Sequence, residues 1–168
     1  MTPTQMSRAS EAVMRLAPVI PVLVIDDAGT AADLARSLVA GGLPALEVTL
    51  RTPAALDAIR AMAGVPGGRV GAGTLLTAAD VKAAKAAGAT FGVAPGATDA
   101  IVGACEDADL PLLAGAVTAS EVYNTALERH LAASLGLRFA ARAGQDPGKN
   151  PVREVVGVNQ ELTDRWSS

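Results

Sequence analysis

Short continuous apolar runs alternate along this chain with segments whose apolar residues recur at three- and four-residue spacing. Val19-Ile-Pro-Val-Leu-Val-Ile25, bounded by Asp26-Asp-Ala-Gly29, predicts a strand buried on both faces, as parallel sheets demand. Pro21 inside it predicts irregular pairing, because proline donates no ladder hydrogen bond. Residues 30–40 then place Ala31, Leu34, Leu38 and Val39 at helical spacing and stop at Gly41-Gly42. The unit repeats. Strands are predicted at 45–50, 69–74, 91–95 and 111–116, each followed by a helix opening on a cap: Thr52-Pro53, Thr77-Ala-Ala-Asp80 and Thr118-Ala-Ser-Glu121. Helix ends are expected at Gly64, Gly88 and near Asp109. Strand starts recur about every 20 to 26 residues, the rhythm of right-handed βαβ crossovers in a (β/α) barrel or a doubly wound sheet. Residues 1–16, with Ala12, Val13, Met14 and Leu16, suit a short amphipathic helix across a barrel base or a frayed terminus.

Composition narrows the class. With 168 residues, 50% apolar and 18% charged, net charge −3, the chain reads as a soluble domain able to bury a core. No apolar run approaches the roughly 18 residues of a membrane span and no signal-like stretch follows the first residues, so a cytoplasmic location and no membrane partner are expected. Cys105 and His130 are the only residues of their kinds, which excludes an internal disulfide and leaves no thiolate or His-His metal motif; Cys105 is expected to be a small buried apolar residue. The acidic balance argues against nucleic acid as a partner.

Candidate chemistry gathers at strand ends, where (β/α) barrels place catalytic groups. Glu47 shares a strand face with Ala45 and Thr49, so its carboxylate points into a barrel interior or into a helix layer. A buried carboxylate is unfavourable unless partnered or protonated, which suits either general acid–base work or a structural ion pair. Arg51, at the end of that strand, is a bidentate clamp for a substrate carboxylate or an exposed rim residue. Gly71-Ala-Gly-Thr74 either lets a ligand approach the backbone or reflects tight packing against the next helix. Ala94-Pro95-Gly96 shapes a pocket wall or an ordinary turn.

Together, Pro21-Val22, Leu46-Glu-Val-Thr-Leu-Arg-Thr52, Val70-Gly-Ala-Gly-Thr74, Ala94-Pro-Gly96 and Gly115-Ala-Val-Thr-Ala-Ser-Glu121 resemble, in order and spacing, the 2-keto-3-deoxy-6-phosphogluconate (KDPG) and 4-hydroxy-2-oxoglutarate (KHG) aldolases over about residues 15–122. The resemblance implies a TIM barrel, a homotrimer, and class I lyase chemistry with no metal or cofactor. A lysine condenses with the substrate keto group to form an imine. The iminium then accepts the electron pair as the carbon–carbon bond breaks, releasing pyruvate and an aldehyde. By resemblance, Glu47 is the general acid–base, Arg51 holds the carboxylate of a pyruvate-like keto acid, and Thr74 and Pro95 line the pocket.

Beyond residue 122 the wording departs from that family. Where the family carries its Schiff-base lysine in a sixth strand, this chain reads Leu135-Gly-Leu-Arg-Phe-Ala-Ala141; the nearest cation is Arg138, which stays protonated and forms no imine. Lys82 and Lys85 fall on a helix and are expected to face solvent, and Lys149 lies in a turn-rich loop. Only six strands, or seven with residues 153–158, are drawn, so the barrel is expected to be incomplete, at five to six βα units, without the late phosphate-binding loops. Residues 123–168 hold three of the four aromatic residues and the single histidine, and carry 6 basic against 5 acidic groups, where residues 1–122 carry 8 against 12. Their wording is similar to an interior stretch of conjugative relaxases, without the relaxase tyrosines or three-histidine metal site. The expected organisation is therefore an aldolase-like partial barrel at 1–122 and a divergent tail at 123–168, a chimera joined near Ser120-Glu-Val122. Retro-aldol activity is expected to be negligible; the alternative is a non-catalytic assembly or interaction module.

Overall fold

Each apolar run pairs with the next through a helix that packs back on the same face of the sheet. The computed structural model describes residues 1–118 and 121, and divides into two units, Met1–Gly115 and Ala116–Ser168. The first unit runs α1 (Pro3–Met14), β1 (Val22–Leu23), a 3₁₀ turn (Ala28–Thr30), α2 (Ala31–Ala40), β2 (Ala45–Thr49), α3 (Ala55–Ala63), β3 (Arg69–Gly73), α4 (Ala78–Ala86), β4 (Phe91–Ala94), α5 (Asp99–Asp107) and β5 (Leu112–Ala114). All four strand pairs are parallel and the spatial order is β1-β2-β3-β4-β5. Strand order never reverses, which is the progression of a (β/α) barrel; a doubly wound sheet has a switch point where the order turns back. The sheet is thus five strands of an incomplete barrel among the described residues. The sixth and seventh strands, the rest of the helix expected to open at the Thr118-Ala-Ser-Glu121 cap, Arg138 and Lys149 lie outside them.

Two apolar clusters flank the sheet. On the outer side Leu46, Val48, Val70, Ala72, Ala94 and Leu112 pack against the helices through Ala31, Ala35, Ala58, Ile59, Met62, Val81, Ala84, Ile101, Val102 and Cys105. Alanine on the inward faces of α2, α3 and α4 lets helix backbones settle close to the strands, which explains the alanine-rich composition. On the inner side a smaller cluster of Val13, Ala45 and Phe91, bordered by Ile20, Val93 and Leu113, forms a floor. Val13 comes from α1, and the Ser10 hydroxyl donates to the Leu112 carbonyl at 3.0 Å, so the first helix closes the base of the barrel segment as its amphipathic pattern predicts.

Helix caps follow the sequence in part. Thr77 and Asp80 form the expected reciprocal box, and Gly88, at φ +99°, turns the chain out of α4. Thr52 does not cap α3: its hydroxyl donates to the Ile25 carbonyl, and the N-cap position falls two residues later on Ala54, which offers no side-chain cap. The expectation that the first run is buried on both faces also fails. β1 is only two residues long, and Val19, Val22 and Val24 are 56%, 60% and 54% exposed. β1 pairs with β2 alone among the described residues, so side chains on its inner face have no strand beyond them to pack on. Pro21 limits its ladder, as anticipated, accepting from Glu47 N–H at 3.0 Å but donating nothing.

In the second unit, the described residues show the Thr118–Glu121 box. The Glu121 carboxylate accepts from the backbone N–H groups of Val117 and Thr118 and from the Thr118 hydroxyl, which hold it below the usual carboxylate range. The Thr118 hydroxyl in turn accepts from the Glu121 N–H.

Candidate active site

Strand alternation and sheet register together decide where Glu47 points. Leu46 and Val48 belong to the outer, helix-facing cluster, so Ala45, Glu47 and Thr49 face the interior; Ala45 is part of the floor. Glu47 is in register with Val22 on one side and Gly71 on the other, and Gly71 with Phe91. The carboxylate therefore stands above an apolar base made by Phe91, Ala45 and Val13.

The two glycines of β3 lie on this same inner face, and each is crossed by a neighbour's side chain. A β-carbon on Gly71 would fall 2.3–2.5 Å from three atoms of the Phe91 ring. One on Gly73 would fall 2.0 Å from Glu47 Oε1, 2.7 Å from its Cδ and 2.8 Å from its Cγ. Packing against the following helix does not account for this Gly-x-Gly, which accommodates two interior side chains of adjacent strands. The helix-side contact belongs to Gly92, over which the Leu75 side chain lies.

Glu47 is only 9% exposed and its carboxylate makes no hydrogen bond or ion pair among the described residues; its oxygens keep some contact with solvent, since no fully buried side-chain oxygen there lacks a partner. Burial raises its pKa above the usual carboxylate range, and the Arg51 guanidinium, pulling the other way, does not reverse the shift. Arg51 itself is exposed just past the end of β2. The sequence alternative of a paired structural acid is thus not met within the described residues.

Thr74 follows β3 at φ +62°, a left-handed backbone that a β-branched residue rarely adopts. It is held there from both sides: Gly73 C=O accepts from Leu50 N–H at 2.9 Å, and Leu75, fully buried, donates its N–H to Val93 C=O at 3.1 Å. Pro95 follows β4 and is exposed, with Gly115 drawn tightly against its carbonyl; a β-carbon there would fall 2.5 Å from that oxygen. Arg51, Thr74 and Pro95 thus all stand at the C-terminal ends of consecutive strands, the end toward which Glu47 points past Gly73. Thr49 braces β2 to β1 through its hydroxyl, which donates to Leu23 C=O at 3.2 Å.

Phe91 and the pairing of Glu47 with Gly73 were not singled out from sequence. The available signal was glycine at alternate positions of one strand, which marks a face whose space is taken by neighbours. The lysines are placed as expected: Lys82 and Lys85 are exposed on α4, whose Val81 and Ala84 face the outer core, and Lys85 Nζ donates to the Asp109 carbonyl at 2.8 Å. Cys105 is fully buried and its thiol is pushed up to about 11, chiefly by burial and then by Glu106, so it behaves as an apolar filler. No cluster of three or more His, Cys, Asp or Glu gathers among the described residues, and none of their helices is long and apolar enough to cross a membrane.

A family model for KDPG and KHG aldolase matches residues 10–137. The chain is 58% identical over 91 residues to the 2-dehydro-3-deoxy-phosphogluconate aldolase of Zymomonas mobilis, covering 54% of this chain and 44% of that protein. It is 43% identical over 115 residues to the KHG/KDPG aldolase of Escherichia coli, covering 68% and 54%. Its fold superposes on the Z. mobilis KDPG aldolase crystallised with 3-phosphoglycerate with a TM-score of 0.67 at 47% identity, over 78% of this chain and 59% of that one. The Legionella pneumophila KDPG aldolase, with pyruvate captured as a covalent carbinolamine intermediate, gives 0.65 at 40% identity, over 68% and 56%. The chain spans about half the length of the curated relatives it matches. With the family match reaching well past the five described strands, the chain belongs to the KDPG and KHG aldolase family.

Proposed function

We propose that residues 1–122 carry the proton-transfer and keto-acid-binding part of a class I aldolase site for KDPG or KHG, and that a chain of these 168 residues has negligible retro-aldol activity because it supplies no Schiff-base lysine. The observation that carries the first half is Glu47: a buried carboxylate with a raised pKa, without a partner among the described residues, on the inner face of a parallel barrel segment. Such a group, holding its proton more tightly than an ordinary carboxylate, is suited to exchanging protons as an imine forms and a carbon–carbon bond breaks. Arg51 is the clamp for the keto-acid carboxylate, and Thr74 and Pro95 are the walls. A pyruvate-like substrate agrees with the carbinolamine of the Legionella relative. The second half rests on the lysines. Lys82 and Lys85 project from the solvent side of the helix layer, and their ammonium groups have no route to a keto group on the inner face. Borohydride reduction in the presence of pyruvate, read by intact mass and peptide mapping, should give no adduct; a stable adduct on Lys82, Lys85 or Lys149 overturns this reading.

A second reading, a non-catalytic assembly module that keeps the family's homotrimer, is favoured by one observation. Val19, Val22 and Val24 expose apolar surface beside β1, an edge strand among the described residues, the kind of feature that association covers. Light scattering after size exclusion distinguishes the two: a monodisperse trimer supports assembly, and a monomer removes the support. The division into 1–122 and a divergent tail at 123–168 is part of the same proposal, and long reads across the source DNA near codons 120–122 test it.

A further inference from the structure

We propose that Gly73 is a positioning residue for Glu47: the absence of a β-carbon at this one place is what lets the Glu47 carboxylate lie against β3 at the C-terminal end of the sheet. Gly73 has no positive φ, so its backbone does not require glycine. All three of the nearest atoms to a β-carbon built there belong to the Glu47 side chain, at 2.0, 2.7 and 2.8 Å. The nearest obstacle to a side chain at this position is therefore the Glu47 side chain itself. Nor can the strand withdraw to make room. Gly73 is registered with Thr49, its carbonyl accepts from Leu50 N–H, and the following Thr74 is held in a left-handed turn by the buried Leu75. A methyl at residue 73 must therefore move the glutamate, whose side chain is the flexible partner.

Phe91, Ala45 and Val13 fill the floor, so a displaced Glu47 carboxylate moves away from it, toward the C-terminal ends of the strands. The groups facing it on the flanking strands are Val22 of β1 and Gly71 and Gly73 of β3, none of them charged, and the charge acting on it is Arg51. Moving outward removes the burial that sets its proton affinity and leaves Arg51 in play. The inference rests on the reading of Glu47 as the proton-transfer group for its functional meaning, but its test does not depend on catalysis.

The experiment is a carboxyl titration of the full chain labelled with ¹³C-glutamate, with the Glu47 signal assigned by its loss in Glu47→Gln. In the wild type Glu47 should titrate above the ordinary glutamate range. In Gly73→Ala its midpoint should fall toward that range, while Gly71→Ala, which meets Phe91 instead, should leave it in place. An unchanged Glu47 midpoint in Gly73→Ala overturns the proposal. If Gly73→Ala does not fold, Glu47→Ala/Gly73→Ala decides: a folded double variant supports the seat, and an unfolded one beside a folded Glu47→Ala overturns it. Loss of the aldolase reading would appear separately, in the pyruvate trapping, and would leave these titrations as they are.

Discussion

Replacing Phe91 by alanine removes the centre of the inner floor. Its ring is fully buried, lies across Gly71 and packs on Val13 and Ala45, with Ile20, Val93 and Leu113 around it. Phe→Ala changes in cores lose about 3–5 kcal/mol, the transfer free energy of the ring plus a term for the space left behind. One wall of this cluster is α1, a terminal helix that can settle inward, so the lower end, about 3 kcal/mol, is expected. With an m-value of about 1.5 kcal/mol per M, the urea midpoint read by far-ultraviolet circular dichroism falls by about 2 M. The structure also fixes a partner for this change. Gly71→Ala in the wild type sets a methyl against the ring and should destabilise by about 1–3 kcal/mol. In the Phe91→Ala background the same methyl enters the vacated space, and its penalty should vanish or reverse. The double-mutant cycle should therefore show a coupling of at least about 1 kcal/mol. A Gly71→Ala penalty equal in both backgrounds, or a Phe91→Ala loss below about 1 kcal/mol, would refute the account of the floor and of why β3 carries glycine there.

Three further outcomes follow from single observations. Because burial raises the Glu47 pKa, the folded chain holds that proton more tightly than the unfolded chain; its contribution to stability is full below the ordinary glutamate range and is lost as pH rises through the folded-state value. Glu47→Gln should accordingly gain on the wild type in urea unfolding as pH rises from the ordinary glutamate range through the raised folded-state value, and a difference that stays flat as pH rises counts against a buried carboxylate. Ser10→Ala removes the donor to the buried Leu112 carbonyl and should lower stability by about 1–2 kcal/mol; a change within about 0.3 kcal/mol means that this bond does not hold α1 to the sheet. Thr74→Gly should leave stability unchanged or raise it by up to about 1 kcal/mol, since relief of the left-handed strain offsets the added freedom of the unfolded chain, and a clear loss shows that the threonine side chain matters more than its backbone.

The sequence by itself determined the repeat. Apolar runs of strand length, helical spacing between them, glycine at α3 and α4 ends and the Thr77–Asp80 box are local signals, and local geometry answered to them: β2, β3 and β4 begin where the pattern places them. It also located Glu47 inside the second strand and Arg51, Thr74 and Pro95 at strand ends, since strand boundaries are visible in the pattern. Three things were decided only by the tertiary structure. Barrel rather than doubly wound sheet follows from which strands pair, and equal spacing along the chain is silent on that. The exposure of Val22 and Val24 follows from having no strand beyond β1 among the described residues, a property of the sheet and not of an apolar run. The direction of Glu47 required register: its alternation with Leu46 and Val48 offered two faces with equal claim. The helix-side packing of those two neighbours, and the space left open by Gly73 on the next strand, assign the carboxylate to the interior. Residues 47 and 73 meet because parallel strands align them, and no spacing rule within one strand contains that contact.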